Sequence, residues 1–316
     1  MSFLGAMLVA LAADAVVGWP ALVYRRIGHP VTWIGWLIRI ADGRWNCEAE
    51  PSHMRRLKGI ATCLGVVAFA VVPALLVQSA LPTGWIGLVL VGLLAWPLVA
   101  VRSLYDHVLA VVEPLERNDL PAARYAVSKI VGRDTERLDE AGISRAAIES
   151  LAENASDGIV APIFWGAIFG LPGIAGYKAI NTLDSMIGHR TPRHEAFGWA
   201  SARVDDIANL VPARLTALLF ALTSGHPVRA LACTLKDAGQ HRSPNAGWPE
   251  AAMAGGLGVR LSGPRVYHDR IAHEPWLNPS GRDATAADIR NGLRIYLFAM
   301  TALAAMGALF AAVALI

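Results

Sequence analysis

An all-α, polytopic integral membrane protein is the fold class this sequence predicts, and three observations carry the expectation. Hydrophobic residues make up 54% of the 316 residues and charged ones only 17%, an apolar excess over an ordinary soluble domain. The excess lies in blocks of about 20 residues, the length a helix needs to cross a bilayer. Lys and Arg crowd a few of the intervening loops, the asymmetry that sets membrane orientation. About five or six membrane-embedded segments are expected, one of them broken or re-entrant. Cytoplasmic helical loops join them into a single membrane-embedded domain over 1–316.

The first segment is 3–24. It has no basic leader, and Asp14 interrupts its apolar run, so it reads as a retained helix and not a signal peptide. Asp14 must face protein or water, because a carboxylate at mid-bilayer costs about 3 kcal/mol on insertion scales. Apolar and aromatic residues at Trp33, Ile34, Leu37 and Ile38, flanked by Arg25 and Arg26, have the spacing of an interfacial helix. Segments 59–81 and 85–101 are a second and a third span, joined by the turn Leu81-Pro82-Thr83-Gly84. Residues 113–148 are polar, with Pro114 and Pro121 punctuating short helices. Segment 158–180 is long enough to cross but is broken by Pro162, Gly166, Gly170, Pro172, Gly173 and Gly176. A kinked span or a hairpin turning near Leu171-Pro172-Gly173 would both fit. The hairpin requires a backbone covered by protein. Segment 205–224 carries Asp205, Asp206, Asn209 and Arg214 on an otherwise membrane-like helix, and 293–316 closes the chain.

Basic residues concentrate in loops 25–58, 102–157 and 225–292, which places these on the cytoplasmic side. If 158–180 dips and returns, every polar motif shares that face. The cell (inner, cytoplasmic) membrane is the expected location, with the lipid bilayer as a partner. A net charge of +3 is too small to call for a nucleic-acid partner. Cys47, Cys63 and Cys233 are scattered and form neither a disulfide framework nor a zinc pattern.

Polar groups flank both ends of the broken segment. Glu149, Glu153 and Asp157 recur at four-residue spacing and fall on one face if the stretch is helical. Lys178, Asn181 and Ser185 follow on the far side, with Asp184 alongside. Like charges four apart repel, so three in a row call for a nearby cation unless the face is simply solvated. Further carboxylates (Asp205, Asp206), amides (Asn154, Asn209) and cations (Arg203, Arg214) accompany them. Arg214 inside a span is functional or paired by default. Oxygen donors of this kind suit Mg²⁺ bridging carboxylates to substrate phosphates, and the Arg and Lys suit phosphate clamping. Neither a G-x-x-x-x-G-K-[ST] loop nor a G-x-G-x-x-G strand–helix turn is present, so nucleotide binding must use another kind of site.

The runs ESLAENASDGIVAPIFWG, GLPGIAGYKAINTLDSMIGHR, FGWASARVDDIANLVPARLTALL and DAGQHRSPNAGWPEAAMAGGLGVRL, in that order, closely resemble the CobD/CbiB family of cobalamin biosynthesis. The early HPVTWIGWLI and the late ADIRNGLRIY extend the resemblance over nearly the whole chain. One departure is visible: many members read Gly-Asp-Pro where this chain has Gly18-Trp19-Pro20. The resemblance implies an adenosylcobinamide-phosphate synthase, an ATP-dependent, Mg²⁺-requiring amide ligase. A carboxylate of adenosylcobyric acid would be joined to the amine of 1-aminopropan-2-ol phosphate or ethanolamine phosphate. The corrinoid would be a substrate and not a prosthetic group, and other corrinoid-pathway enzymes could be partners.

On that reading Glu149, Glu153, Asp157 and Asp184 supply the base or phosphate geometry, with Glu153, Asp157 and Asp184 holding Mg²⁺. Asn154, Asn181 and Ser185 orient substrates, and Lys178, Arg203 and Arg214 hold phosphate. Asp205, Asp206 and Asn209 complete a polar wall. Lys236, His241, Arg242, Ser243 and Asn245 bind nucleotide or aminoalcohol phosphate. A transporter for a corrinoid or another anionic small molecule is the competing class, because broken apolar helices with polar flanks also build transport sites. No inverted repeat is visible. A CDP-alcohol phosphotransferase is a further alternative, but no Ala-Arg follows Asp157-Gly158 where its motif needs it.

Overall fold

The computed structural model describes residues 3–132, 134–267, 270–272 and 274–313, with no side chains described at 21, 265–267 and 270–272. In chain order the helices are α1 (Phe3–Val17), α2 (Ala21–Ile27), α3 (Pro30–Trp45), α4 (Ser52–Ala80), α5 (Trp85–Ala95), α6 (Val101–Glu116), α7 (Leu120–Val127), α8 (Glu140–Ala155), α9 (Ala161–Phe169), α10 (Leu171–Ile187), α11 (Trp199–Ala208), α12 (Leu210–Thr223), α13 (Pro227–Asp237), α14 (Gly247–Leu257) and α15 (Ala286–Val313). A five-residue π-turn, Ser156–Val160, joins α8 to α9. The strands are four short pieces: β1 (Leu261–Ser262), β2 (Arg265–Tyr267), β3 (Arg270–Ala272) and β4 (Trp276–Leu277), paired β1–β4 and β2–β3, both antiparallel.

Among the described residues three helical stretches are long and apolar enough to cross a membrane: Ser52–Ala80, Trp85–Glu116 and Ala286–Val313. The number rises to five if two broken pairs, Phe3–Val17 with Leu22–Trp45 and Trp199–Ala208 with Leu210–Thr223, each count as one span. The protein is thus an all-α polytopic membrane protein, as the composition predicts. Boundaries differ in places. The first segment stops at Gly18, where φ is +62°, and does not run to residue 24. The segment expected over 205–224 is interrupted at Asn209. The last three residues of the segment expected over 293–316 lie outside the described residues.

The chain divides into two compact units. The first comprises 1–100, 161–209 and 307–316. Its core packs Ile34 and Ile38 of α3, Cys63 and Val66 of α4, Ala179, Leu183 and Ile187 of α10, and Phe197 and Ala200. Close approach depends on glycine. A Cβ at Gly59 would strike the Phe197 carbonyl, and one at Gly198 the Ile187 carbonyl.

Segment 158–180 resolves as a helical hairpin within this unit from Ala161 onward. α9 continues directly from the π-turn and adds nine residues, about 14 Å of helix. The chain turns at Gly170, with φ +72°, and α10 packs back against α9. Pro172 near the start of α10 removes a donor that would have had no partner. Gln78 of α4 satisfies another, its Oε1 accepting the Leu171 N–H at 2.7 Å. The turn thus falls one residue before the expected Leu171-Pro172-Gly173, at the residue free to take positive φ.

The second unit comprises 101–160 and 210–306. α14 packs against α8, α12 and α13, and Ile143, Ile148, Leu151, Phe220, Met253 and Tyr296 are fully buried. The Tyr296 hydroxyl donates to the Val101 carbonyl at 2.8 Å. α15 begins on a charged cap: Asp288 accepts from the Thr285 N–H at 2.9 Å and pairs with both Arg282 terminal nitrogens at 2.6 Å.

Candidate functional site

In the first unit the polar residues converge on the facing sides of α10 and α11. Tyr177, Asn181 and Asp184 fall at i, i+4 and i+7 of α10 and so share a face. Asp205, Asp206 and Asn209 occupy the last turn of α11 and its end. The Tyr177 hydroxyl donates to Asn209 Oδ1 at 2.9 Å, and Asn209 Nδ2 donates to Asp205 Oδ2 at 3.0 Å. All three side chains are buried, Asn209 almost completely. Asp205 Oδ1 is buried with no hydrogen bond of good geometry, although Asn181 interacts with this carboxylate. Asp184 and Asp206 both lie within electrostatic reach of Asp205.

Burial raises the Asp184 carboxyl above its ordinary value; His189 opposes the shift and Asp206 adds to it. Arg203 pairs with Asp206 at 3.5 Å, and Arg190 lies in range of the same carboxylate. Ser185 Oγ, by contrast, is turned back to its own helix, donating to the Asn181 carbonyl at 2.8 Å. Lys178, on the same helix, lies within electrostatic range of His29. The sequence reading missed Tyr177. Replacing it by phenylalanine leaves a buried amide oxygen of Asn209 without its donor, and stability is expected to fall by about 1–3 kcal/mol. A thermal melt in detergent with an unchanged midpoint would show the bond contributes nothing.

The second unit separates residues that the spacing had grouped. Glu149 is buried, its Oε1 accepting the Ser262 N–H at 2.7 Å, with Arg145 Nε at 4.0 Å. This carboxylate anchors β1. Glu153, one turn on, is exposed, and Asp157 falls inside the π-turn. The wider turn changes the four-residue register between them, so the three carboxylates do not form the uniform stripe expected from i, i+4, i+8 spacing. Turns of this kind recur at functional sites. Asn154 Nδ2 donates to the Ser150 carbonyl at 2.9 Å.

The other grouping in this unit is preserved. Arg214 of α12 donates from one terminal nitrogen to the Leu210 carbonyl at 2.8 Å and to Asn245 Oδ1 at 3.1 Å. Its guanidinium carbon sits 4.4 Å from the centre of the Trp248 ring. Among the described residues it has no acidic partner. Ser243 Oγ accepts the N–H groups of Asn245 and Ala246, each at 3.2 Å, and so fixes the loop that presents Asn245. His241 Nδ1 accepts the Ser243 N–H at 3.1 Å, while its Nε2 faces Glu250 at 3.8 Å and Glu274 at 4.0 Å. Arg242 approaches Glu274 at 3.6 Å, and Lys236 is exposed at the end of α13. His241 and Ser243 therefore shape the loop, and Arg214 with Asn245 forms its cationic face.

A surface hollow of about 580 Å³ in the same unit is lined by Asp106, Glu113, Glu116, Arg117 and Arg290, and contains none of the sequence-predicted residues. Its charges are largely paired with one another, Arg290 with Glu116 at 2.6 Å and Arg117 with Glu113 at 2.6 Å. No group of three or more His, Cys, Asp or Glu side chains poised to hold a metal ion occurs among the described residues. A Mg²⁺ ion that arrives with a nucleotide needs only one or two carboxylates.

These features define a class: a polytopic helical membrane protein that carries a buried carboxylate–amide cluster and an arginine facing neutral partners. The chain matches the family described as CobD/Cbib protein over residues 7–296. It is 61% identical over 300 residues to the cobalamin biosynthesis protein CobD of Rhodobacter capsulatus, covering 95% of each chain. Identity is 46% over 301 residues with the protein of that name from Brucella suis biovar 1, covering 93% of this chain and 92% of the relative. With that of Sinorhizobium fredii it is 44% over 310 residues, covering 96% and 95%. No solved structure matches. The chain belongs to the CobD/CbiB family of cobalamin-biosynthesis proteins.

Proposed function

We propose that the chain is the ATP-dependent ligase that joins adenosylcobyric acid to 1-aminopropan-2-ol phosphate, or ethanolamine phosphate, to give adenosylcobinamide phosphate. The reaction would take place at the cytoplasmic face of the inner membrane. The observation that carries the reading, beside family membership, is Arg214. Its positive charge is held by carbonyls, an amide and an indole face, and among the described residues no carboxylate neutralises it. A partly buried cation of this kind is completed by an anionic ligand, and planar guanidinium suits phosphate.

A carboxylate does not acylate an amine at neutral pH, so it must first be activated. Transfer of the terminal phosphoryl group of ATP to the corrinoid carboxylate gives an acyl phosphate and ADP. The amine then attacks the carbonyl carbon, the C–N bond forms, inorganic phosphate leaves, and the ammonium proton passes to a base. Arg214 and Asn245 bind a phosphate group in this scheme.

The residues present fit a bound Mg²⁺. Asp205 offers a buried oxygen with no hydrogen bond of good geometry, and Asp184 lies within its electrostatic reach. Asp184 and Asp205 would hold the ion, which neutralises phosphate charge when bound. Tyr177 and Asn209 fix the Asp205 carboxylate, and Arg203 balances Asp206.

The test uses protein held in nanodiscs and supplied with adenosylcobyric acid, Mg·ATP and aminopropanol phosphate. Corrinoid mass and ADP are read together. An amide-linked corrinoid formed in step with ADP establishes the ligase. Folded protein that forms no product with either aminoalcohol phosphate overturns the reading and moves transport forward.

A further inference from the structure

The first unit holds a second polar neighbourhood, built from aromatic donors. Trp19, in the turn after α1, meets Trp96 at the end of α5 edge to face, with ring centres 5.9 Å apart. His29, which caps α3, meets Trp19 in the same way at 5.3 Å. The indole N–H groups of both Trp19 and Trp96 are buried, and among the described residues neither has a hydrogen-bond acceptor.

Two such donors on rings 5.9 Å apart need an explanation. A buried tryptophan N–H ordinarily finds a partner, and leaving one unmet costs about 1–3 kcal/mol. His29 does not accept from them. Its Nδ1 already takes the Val31 N–H at 3.2 Å, and the ring also serves the Pro97 carbonyl. Lys178 lies within electrostatic range of the same imidazole. Two unmet N–H donors on packed aromatic rings, with an ammonium in electrostatic range, suit a conjugated ligand with carbonyl oxygens on its rim.

We propose that Trp19, Trp96 and His29 form a subsite for the corrin macrocycle, the two indole N–H groups donating to amide carbonyls on its periphery. The inference rests on the ligase reading, which names a corrinoid as substrate, and it assigns residues that the phosphate chemistry does not use. Neutral donors suit amide carbonyls, while phosphate is better matched by the guanidinium of Arg214. Aromatic faces supply stacking area for the ring.

The test compares Trp19→Phe and Trp96→Phe with wild type. Phenylalanine keeps an aromatic ring and deletes the donor. Each variant is expected to raise KM for adenosylcobyric acid about tenfold, the loss of one hydrogen bond of roughly 1.4 kcal/mol. KM for ATP and for aminopropanol phosphate should stay within twofold, and kcat should change little. Equilibrium dialysis against cobyric acid, with no ATP present, should show the same tenfold weakening without turnover. Two single variants are used so that a folding failure in one leaves the other to decide. Wild-type KM and wild-type corrinoid binding in a folded variant overturn the subsite while leaving the ligase intact. Equal rises in all three KM values would mark a structural role and also overturn it. Wild-type protein that forms no product under the same conditions overturns the ligase itself.

Discussion

Arg214→Ala is expected to lower kcat/KM for the phosphate-bearing substrates by about 30- to 100-fold, with the loss appearing mainly in KM. The magnitude is that of one charge-assisted hydrogen bond, roughly 2–3 kcal/mol. Structure supplies the reason for so large an effect at one residue. The guanidinium is already partly desolvated and oriented by the Leu210 carbonyl, Asn245 and the Trp248 ring, so little rearrangement is needed when the anion arrives. Lysine at this position keeps the charge but loses the planar stack on Trp248 and the second donor branch. Arg214→Lys should therefore recover only part of the activity. Steady-state kinetics with each substrate varied in turn, alongside thermal melts, separates ligand binding from folding. An alanine variant within threefold of wild type would remove Arg214 from the site.

Gly59→Ala is expected to have the largest effect on folding. The added methyl group would occupy the space of the Phe197 carbonyl oxygen and carbon. Backbone cannot swing aside as a flexible side chain can, so α4 and the segment before α11 must separate. Phe197 is fully buried in the core that also holds Leu183 and Ile187 of α10. Separation there disturbs the helix that carries Asn181 and Asp184. The cost is about 3 kcal/mol, at the upper end for overpacking. Folded yield in detergent should drop sharply. Gly65→Ala, on the same helix but with open space around it, is the control and should be neutral or mildly stabilising.

The sequence made the spans legible because membrane crossing leaves a long, uniform signal. Ser52–Ala80 and Ala286–Val313 appear where apolar runs stand unbroken. Breaks are harder. The turn at Gly170 carries the expected punctuation, a glycine followed two residues later by proline, yet glycine and proline are so frequent in this stretch that the exact corner is not singled out. Its backbone partner, Gln78, lies 93 residues away and leaves no mark in the local pattern.

The candidate site divides along the same line. Asp205 and Asn209 could be paired from their i, i+4 spacing, and they do bond. Tyr177, which completes that chain from 32 residues away, could not. The carboxylates Glu149, Glu153 and Asp157 looked equivalent because helical spacing was assumed to continue. A π-turn and the distant Ser262 backbone, 113 residues on, give each of them a different environment. Arg214 was legible from its charge within an apolar helix, but its stacking on Trp248 was not.

The cysteines make the native chain its own topological reporter. Cys63 and Cys233 are buried, and Cys47 is exposed just beyond α3. Burial, together with the neighbouring Asp237 carboxylate, pushes the Cys233 thiol up to about 12, so it holds almost no thiolate at neutral pH. One equivalent of maleimide should therefore react, and at one place, with no engineered site and no cysteine-free background. If loop 25–58 faces the cytoplasm, a membrane-impermeant maleimide will tag inverted vesicles and spare intact spheroplasts. Tagging of intact spheroplasts would turn the whole assignment of sides over.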